Sequence, residues 1–124
     1  SWYEGCPLTI LEAMSAGTPW LATPECGSVV DQAGGFVADL EYFPMLLPEI
    51  INDETVKSGL GKLGKRHWEA CFSPQAVLPA FIDLLENDGA DMPDLRMPPQ
   101  LRADSMALWT AVKGRIAFSH GVFL

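Results

Sequence analysis

YEGCPLTILEAMSAGTPWLAT, residues 3–23, is the stretch on which the reading of this chain turns. Pro7 suits the first position of a helix, because its missing N–H has no intrahelical partner to lose, with Gly5 or Cys6 as the cap. Gly17 suits a left-handed stop, and Thr18 and Pro19 come directly after it. A helix of about ten residues therefore precedes WLAT, a short apolar run ending at Pro24 that reads as a buried strand. The unit is a helix joined closely to a strand, and two glutamates, Glu4 and Glu12, bracket the start of the helix.

Downstream, CGSVVDQAGG at 26–35 has glycine near both ends and predicts a loop with a helical turn. GFVAD, from Gly35 to Asp39, predicts a second buried strand. Two buried strands with helical segments around them imply a parallel sheet and the α/β class. From Pro44 the period becomes helical, with Met45, Leu46, Leu47, Ile50 and Ile51 on one side. A second helix, opened by Asp53, continues through NDETVKSGLGKLGKRHWEACF, residues 52–72. Gly59, Gly61 and Gly64 each weaken that helix by up to about 1 kcal/mol relative to alanine, and close packing is the compensation expected of them. Ser73 and Pro74 open a third helix with apolar Val77, Leu78, Phe81, Ile82, Leu84 and Leu85. The organisation expected is a main portion over 1–88, a proline-rich linker over 89–100 and a helical extension over 101–124, whose Leu101, Leu108, Trp109, Val112 and Ile116 form a stripe needing a partner surface.

With 124 residues, 48% of them apolar and 19% charged, the chain has the composition of one globular domain. No run reaches the roughly 18 apolar residues of a spanning helix, and no secretory signal pattern opens the chain. Ser1 in place of an initiator methionine leads to the expectation of a fragment. Cys6, Cys26 and Cys71 lack metal-ligand spacing and read as reduced thiols in a cytoplasmic protein. The formal charge of −8 disfavours nucleic acid and anionic lipid as partners. Residues 1–56 hold nine acids and no Lys or Arg, so an anion bound there must be held by backbone dipoles or by another segment. His67, beside Lys65, Arg66 and Trp68, is expected on a helix surface, whereas Trp20 and Trp109 are expected in the core or at an interface.

Advancing by 100° per residue from Pro7 places Leu8, Ile10, Leu11 and Met14 on one face of the first helix and Thr9, Glu12, Ala13 and Ala16 on the other. The second face is small rather than charged, which suggests a helix covered on both sides with Glu12 directed into a crevice; an ordinary exposed glutamate is the competing reading. Glu12 lies about 7.5 Å along the axis from Pro7. The helix start offers the free N–H groups of Leu8 and Thr9 and a partial positive charge, a seat for phosphate between two carboxylates that can accept from sugar hydroxyls. A nucleotide sugar has that chemistry.

The segment EGCPLTILEAMSAGTPWLAT resembles the E-x7-E signature of retaining GT-B glycosyltransferases, of the glycosyltransferase family 4 and glycogen synthase type. GGFVADL at 34–40, GLGKLGKRHWEACFSPQAV at 59–77 and the helix ending at Leu85 are similar in order and length to the segments downstream of that signature, so the resemblance covers about residues 1–88. It implies a helix-rich, three-layer, partial Rossmann-like segment with about two parallel strands, the C-terminal part of a nucleotide-binding domain. By the same resemblance Glu4 is catalytic, beside the donor sugar. Gly5, Leu8, Thr9 and Glu12 bind the donor nucleotide, with the diphosphate on the Leu8 and Thr9 N–H groups and the ribose on Glu12. No metal or other cofactor is expected, and the donor is a UDP-, GDP- or ADP-sugar. The acceptor domain and the basic phosphate ligands belong to the missing N-terminal part of the parent enzyme, which would be cytoplasmic or peripheral to a membrane, so this chain alone is expected to be inactive. An uncovered parallel strand edge leads to the expectation of a homo-oligomer, with the last helix as a candidate for exchange. A nucleotide- or sugar-binding module without catalysis and a purely structural or oligomerisation domain are the alternatives.

Overall fold

A computed structural model of the chain describes residues 7–26, 33–87 and 96–124. Helix α1 (Leu8–Ser15) leads to strand β1 (Trp20–Ala22), strand β2 (Gly35–Val37), and helices α2 (Phe43–Ile51), α3 (Glu54–Cys71), α4 (Pro74–Glu86) and α5 (Pro99–His120). The protein is helix-rich around a small parallel sheet. Trp20 pairs with Gly35, Leu21 with Phe36 and Ala22 with Val37, and the Ala38 N–H extends the ladder to the Ala22 carbonyl at 3.0 Å. Both strands stop short of their predicted ends, at Ala22 and at Val37.

Local chemistry sets the element ends. At the end of α1, the Thr18 N–H donates to the Ala13 carbonyl at 2.8 Å and the Gly17 N–H to Met14 at 3.0 Å. This is a Schellman closure, and it places Gly17 at φ +67°, where a Cβ would be strained. The start differs by one residue from expectation: Pro7 caps α1 with extended φ and ψ and is not its first helical residue. Asp53 caps α3 by accepting from the N–H groups of Thr55 at 2.9 Å and Val56 at 3.1 Å. Ser73 caps α4 through the Ala76 N–H.

Each face of the sheet is covered. On one side Trp20, Ala22 and Val37 join Ile10, Leu11 and Met14 of α1, with Trp68 and Phe72 near the end of α3. On the other, Phe36 and Ala38 join Leu46 and Ile50 of α2, Val56 and Leu60 of α3, and Val112 and Ile116 of α5. The stripe on α5 thus finds its partner within the chain: Trp109 lies on Phe36 with ring centroids 4.5 Å apart, and Leu101 packs with Ala33, Leu63 and Met97. This helix starts at Pro99 and belongs to the same core as the sheet. The α2 stripe is narrower than its sequence suggests. Leu46 and Ile50 are buried, while Leu47 and Ile51 face solvent.

Helix α3 touches the sheet and every other helix. It passes the segments that lead into both strands, and glycine makes that approach feasible. A Cβ on Gly61 would overlap the Gly17 carbonyl oxygen, and one on Gly34 would stand 2.6 Å from the Gly64 Cα. Close packing of backbone on backbone is therefore observed at Gly61 and Gly64, whereas a Cβ on Gly59 would meet only the end of the Leu108 side chain, at 3.2 Å.

His67 is not on the surface. It is fully buried, its Nδ1 accepts the Ala33 N–H at 3.1 Å, and the Ala33 carbonyl accepts the Trp20 indole N–H at 3.1 Å. An Nδ1 that accepts is unprotonated, so the imidazole is neutral with its proton on Nε2. The ring also packs on Phe72, with centroids 5.3 Å apart. One side chain on α3 thereby joins the entry to β2 with the first residue of β1.

A second tie lies at the opposite end of α3. Arg115 of α5 pairs with the capping carboxylate Asp53 and, through Nε, with Glu49 of α2 at 3.3 Å. The Arg115 guanidinium holds the Asp53 carboxyl below its ordinary value of 3.8, aided by the Val56 N–H.

These contacts have measurable consequences. Gly61→Ala is expected to destabilise by about 1–3 kcal/mol because it meets backbone that cannot turn aside. Gly114→Ala, which points into open space on α5, should stabilise by up to about 1 kcal/mol. Urea midpoints moving in the same direction for both would refute the packing account. His67→Phe strands the Ala33 N–H and is expected to lose about 1–3 kcal/mol, more than His67→Gln, whose amide oxygen can accept the bond. Equal losses in chemical unfolding would mean that the hydrogen bond contributes nothing. Because the folded carboxyl of Asp53 is depressed, its stabilisation is complete above its unfolded value and disappears as pH falls through that value and then the folded one. Asp53→Asn keeps a capping acceptor but loses the ion pair. Its thermal midpoint should lie below that of the parent at neutral pH and converge with it below about pH 4, while a gap unchanged by acid would exclude the pair as the cause.

Candidate functional site

The link between α1 and β1 is four residues, 16–19, and the two elements share one apolar cluster. The chain must double back, so α1 opens at the end of the sheet where the parallel strands finish. That end, outside the carboxyl ends of the strands, is where open α/β sheets bind ligands.

At this end Pro7 is buried and fixes the chain, and its carbonyl accepts the first helical bonds from Ile10 at 3.1 Å and Leu11 at 3.4 Å. No side chain caps the helix. The N–H groups of Leu8 and Thr9 have no acceptor among the described residues, as the first turn of a helix dictates. Glu12 stands one turn further on, exposed, with Ser15 donating to its backbone carbonyl at 2.8 Å. Leu8, Thr9 and Glu12 thus form an open patch of two free N–H donors and one carboxylate at spacings that share a helix face.

Two features of this patch differ from expectation. Leu8 is not on the buried face: it is 72% exposed, and Ile10, Leu11, Ala13 and Met14 hold α1 to the sheet. Glu12 is exposed rather than set in a crevice, and among the described residues α1 packs through its other side. Glu4 and Gly5, and with them Cys6 as a thiol at a helix start, lie outside the described residues. So do residues 27–32, on which most of the expected loop between the strands falls.

The strand ends contribute further acids that sequence reading did not single out. After β1, Cys26 donates its N–H to the Thr23 carbonyl at 3.1 Å, forming a tight turn. Within it the Glu25 carboxyl is held below the ordinary range by the Thr23 hydroxyl and by its own backbone N–H. Asp39 comes just after β2 and is exposed. The signal for Glu25 was a Thr-Pro-Glu turn directly after a strand. Residues 1–56 hold no Lys or Arg, and the partial positive charge of the helix start is flanked by carboxylates.

Two cavities among the described residues lie away from this patch. One of about 430 Å³ is lined by Pro48, Glu49, Asn52, Asp53, Glu54 and Arg115. Another of about 540 Å³ lies at the start of α5, beside Cys71, Arg96 and Arg102. Among the described residues no group of three or more His, Cys, Asp or Glu is placed to hold a metal ion, Cys26 and Cys71 form no disulfide, and no helix is long and apolar enough to cross a membrane. Comparisons with protein-family models, curated proteins and solved structures find no match to this chain.

Proposed function

We propose that the chain is the C-terminal part of the donor-binding half of a retaining glycosyltransferase that uses a nucleotide sugar, and that its sheet is the edge of a larger Rossmann-like one. The observation that supports this reading best is the pair of N–H groups on Leu8 and Thr9, without an acceptor among the described residues, at the end of a parallel sheet where such folds bind ligands, with an exposed carboxylate one turn away. The diphosphate sits on the two N–H groups, where the helix dipole favours negative charge. Glu12 accepts hydrogen bonds from the ribose hydroxyls. In the resemblance Glu4 stands by the sugar, and Gly5 is among the residues that bind the donor nucleotide.

The same geometry favours a subsidiary reading for the isolated chain. The patch is open on one side, no cationic side chain is close in sequence, and the strand ends bring Glu25 and Asp39. Without the preceding part of the parent protein, such a surface binds nucleotide weakly and performs no transfer.

Calorimetric titration with UDP, GDP and ADP at low salt tests both readings. Weak binding is expected, with dissociation constants in roughly the millimolar range that weaken further as salt is added. Glu12→Ala should reduce affinity by about tenfold or more, the equivalent of one hydrogen bond to a charged group. If the parent chain binds a nucleotide and Glu12→Ala binds it equally well, the ribose assignment fails. If no nucleotide binds at all, the donor site is not held by this part of the protein.

A further inference from the structure

Helix α4 is the only α-helix among the described residues that buries no side chain. Its inner side, Val77, Ala80 and Leu84, is half-buried. Its outer side carries Leu78, Phe81, Ile82 and Leu85, which are 52%, 53%, 48% and 70% exposed. Scattered exposed apolar residues are ordinary, but four large ones at i, i+3, i+4 and i+7 form a continuous stripe with the spacing of a helix-pairing seam.

We propose that this stripe is a homodimer seam, on which a second copy of the chain lays its own α4 antiparallel about a two-fold axis between Phe81 and Ile82. The inference is independent of the glycosyltransferase reading. Three observations commit it to a second copy. The stripe is self-complementary, since a two-fold at that point sets Leu78 against Leu85 and Phe81 against Ile82, and every member finds a counterpart. The charges select the antiparallel sense. Asp83 and Glu86 lie in the C-terminal half of α4, its first turn has no acid, and the helix has no basic residue. Antiparallel pairing brings each acidic half beside the positive end of the other helix dipole, whereas parallel pairing would set the acids side by side. The area sets the strength. Four half-exposed side chains can cover on the order of 100 Å² each, or about 800 Å² over both copies, below the roughly 1,200 Å² at which stable interfaces begin. The dimer is therefore weak and depends on concentration.

Sedimentation equilibrium of the full chain, from micromolar to millimolar concentration, should show a rise from monomer towards dimer mass. Phe81→Glu and Ile82→Lys should each hold the chain monomeric at concentrations where the parent associates. Their thermal midpoints should stay near that of the parent, because both side chains are exposed. An equimolar mixture of the two variants should associate again, since each new carboxylate then meets a new ammonium across the axis. A parent chain that stays monomeric throughout overturns the proposal and leaves the stripe to a different partner. Association that survives both substitutions also overturns it, by placing the contact elsewhere, for example on a sheet edge. A mixture that remains monomeric overturns the two-fold pairing.

Discussion

Backbone meets backbone where α3 crosses the approaches to the two strands, and the rest of the fold depends on that closeness. Gly61 lies against the Gly17 carbonyl and Gly64 against Gly34. At each point a single methyl group would force the helix away from the sheet. The glycines weaken α3 as an isolated helix by up to about 1 kcal/mol each, a loss that makes sense only if proximity yields more. It brings Val56 and Leu60 into one apolar cluster, Leu63 into a second, and Trp68 and Phe72 into a third. A short parallel sheet of two three-residue strands has little stability alone. Its register is kept because one helix holds both strand entries, with His67 bonding the segment that leads into β2.

Where the cause of structure is local, the sequence was legible. The Asp53 and Ser73 caps and the glycine stop after α1 all arise from chemistry within a few residues, and the parallel sense of the strand pair was legible from the helical segments around two apolar runs. The buried stripe of α5 was also readable from its period, although its partner surface was not. His67 was misread because its neighbours Lys65 and Arg66 are polar. Its position three residues after Gly64 and seven after Leu60 puts it on the buried face of α3, and that periodicity was the better guide. Leu8 was misplaced for a different reason, and the outer side of α4 shows the same limit. An apolar face shows that something can cover it, but not that the covering element is in the same chain. Leu8, Leu78, Phe81 and Leu85 are each more than half exposed.

For the candidate site, the N–H groups of Leu8 and Thr9 were named because the first turn of any helix leaves such groups without an intrahelical partner. The sequence left open whether Glu12 lies in a crevice or in solvent, because a small-residue face can lie under a neighbour or under water. It also passed over Glu25, whose turn comes after β1 at the same end of the sheet. These acids change the electrostatics of the patch. A phosphate at the helix start would be attracted by the dipole and repelled by the carboxylates, so donors with hydroxyls on both sides of the phosphates suit the patch better than inorganic anions do.

The two ends of the sheet have been given different work. At the strand entries, the glycine contacts and the His67 hydrogen bond join α3 to the sheet, and substitution there disturbs packing. At the strand exits, Glu12, Glu25 and Asp39 face outward, and their hydrogen bonds among the described residues stay within a few positions of each acid. Residues at that end can therefore be changed without loosening the core. This separation is what lets a binding defect at Glu12 be told from a folding defect. A substitution there that lowered stability as much as one at Gly61 would mean that the exit end carries packing load after all, and the surface would then have no claim to be a site.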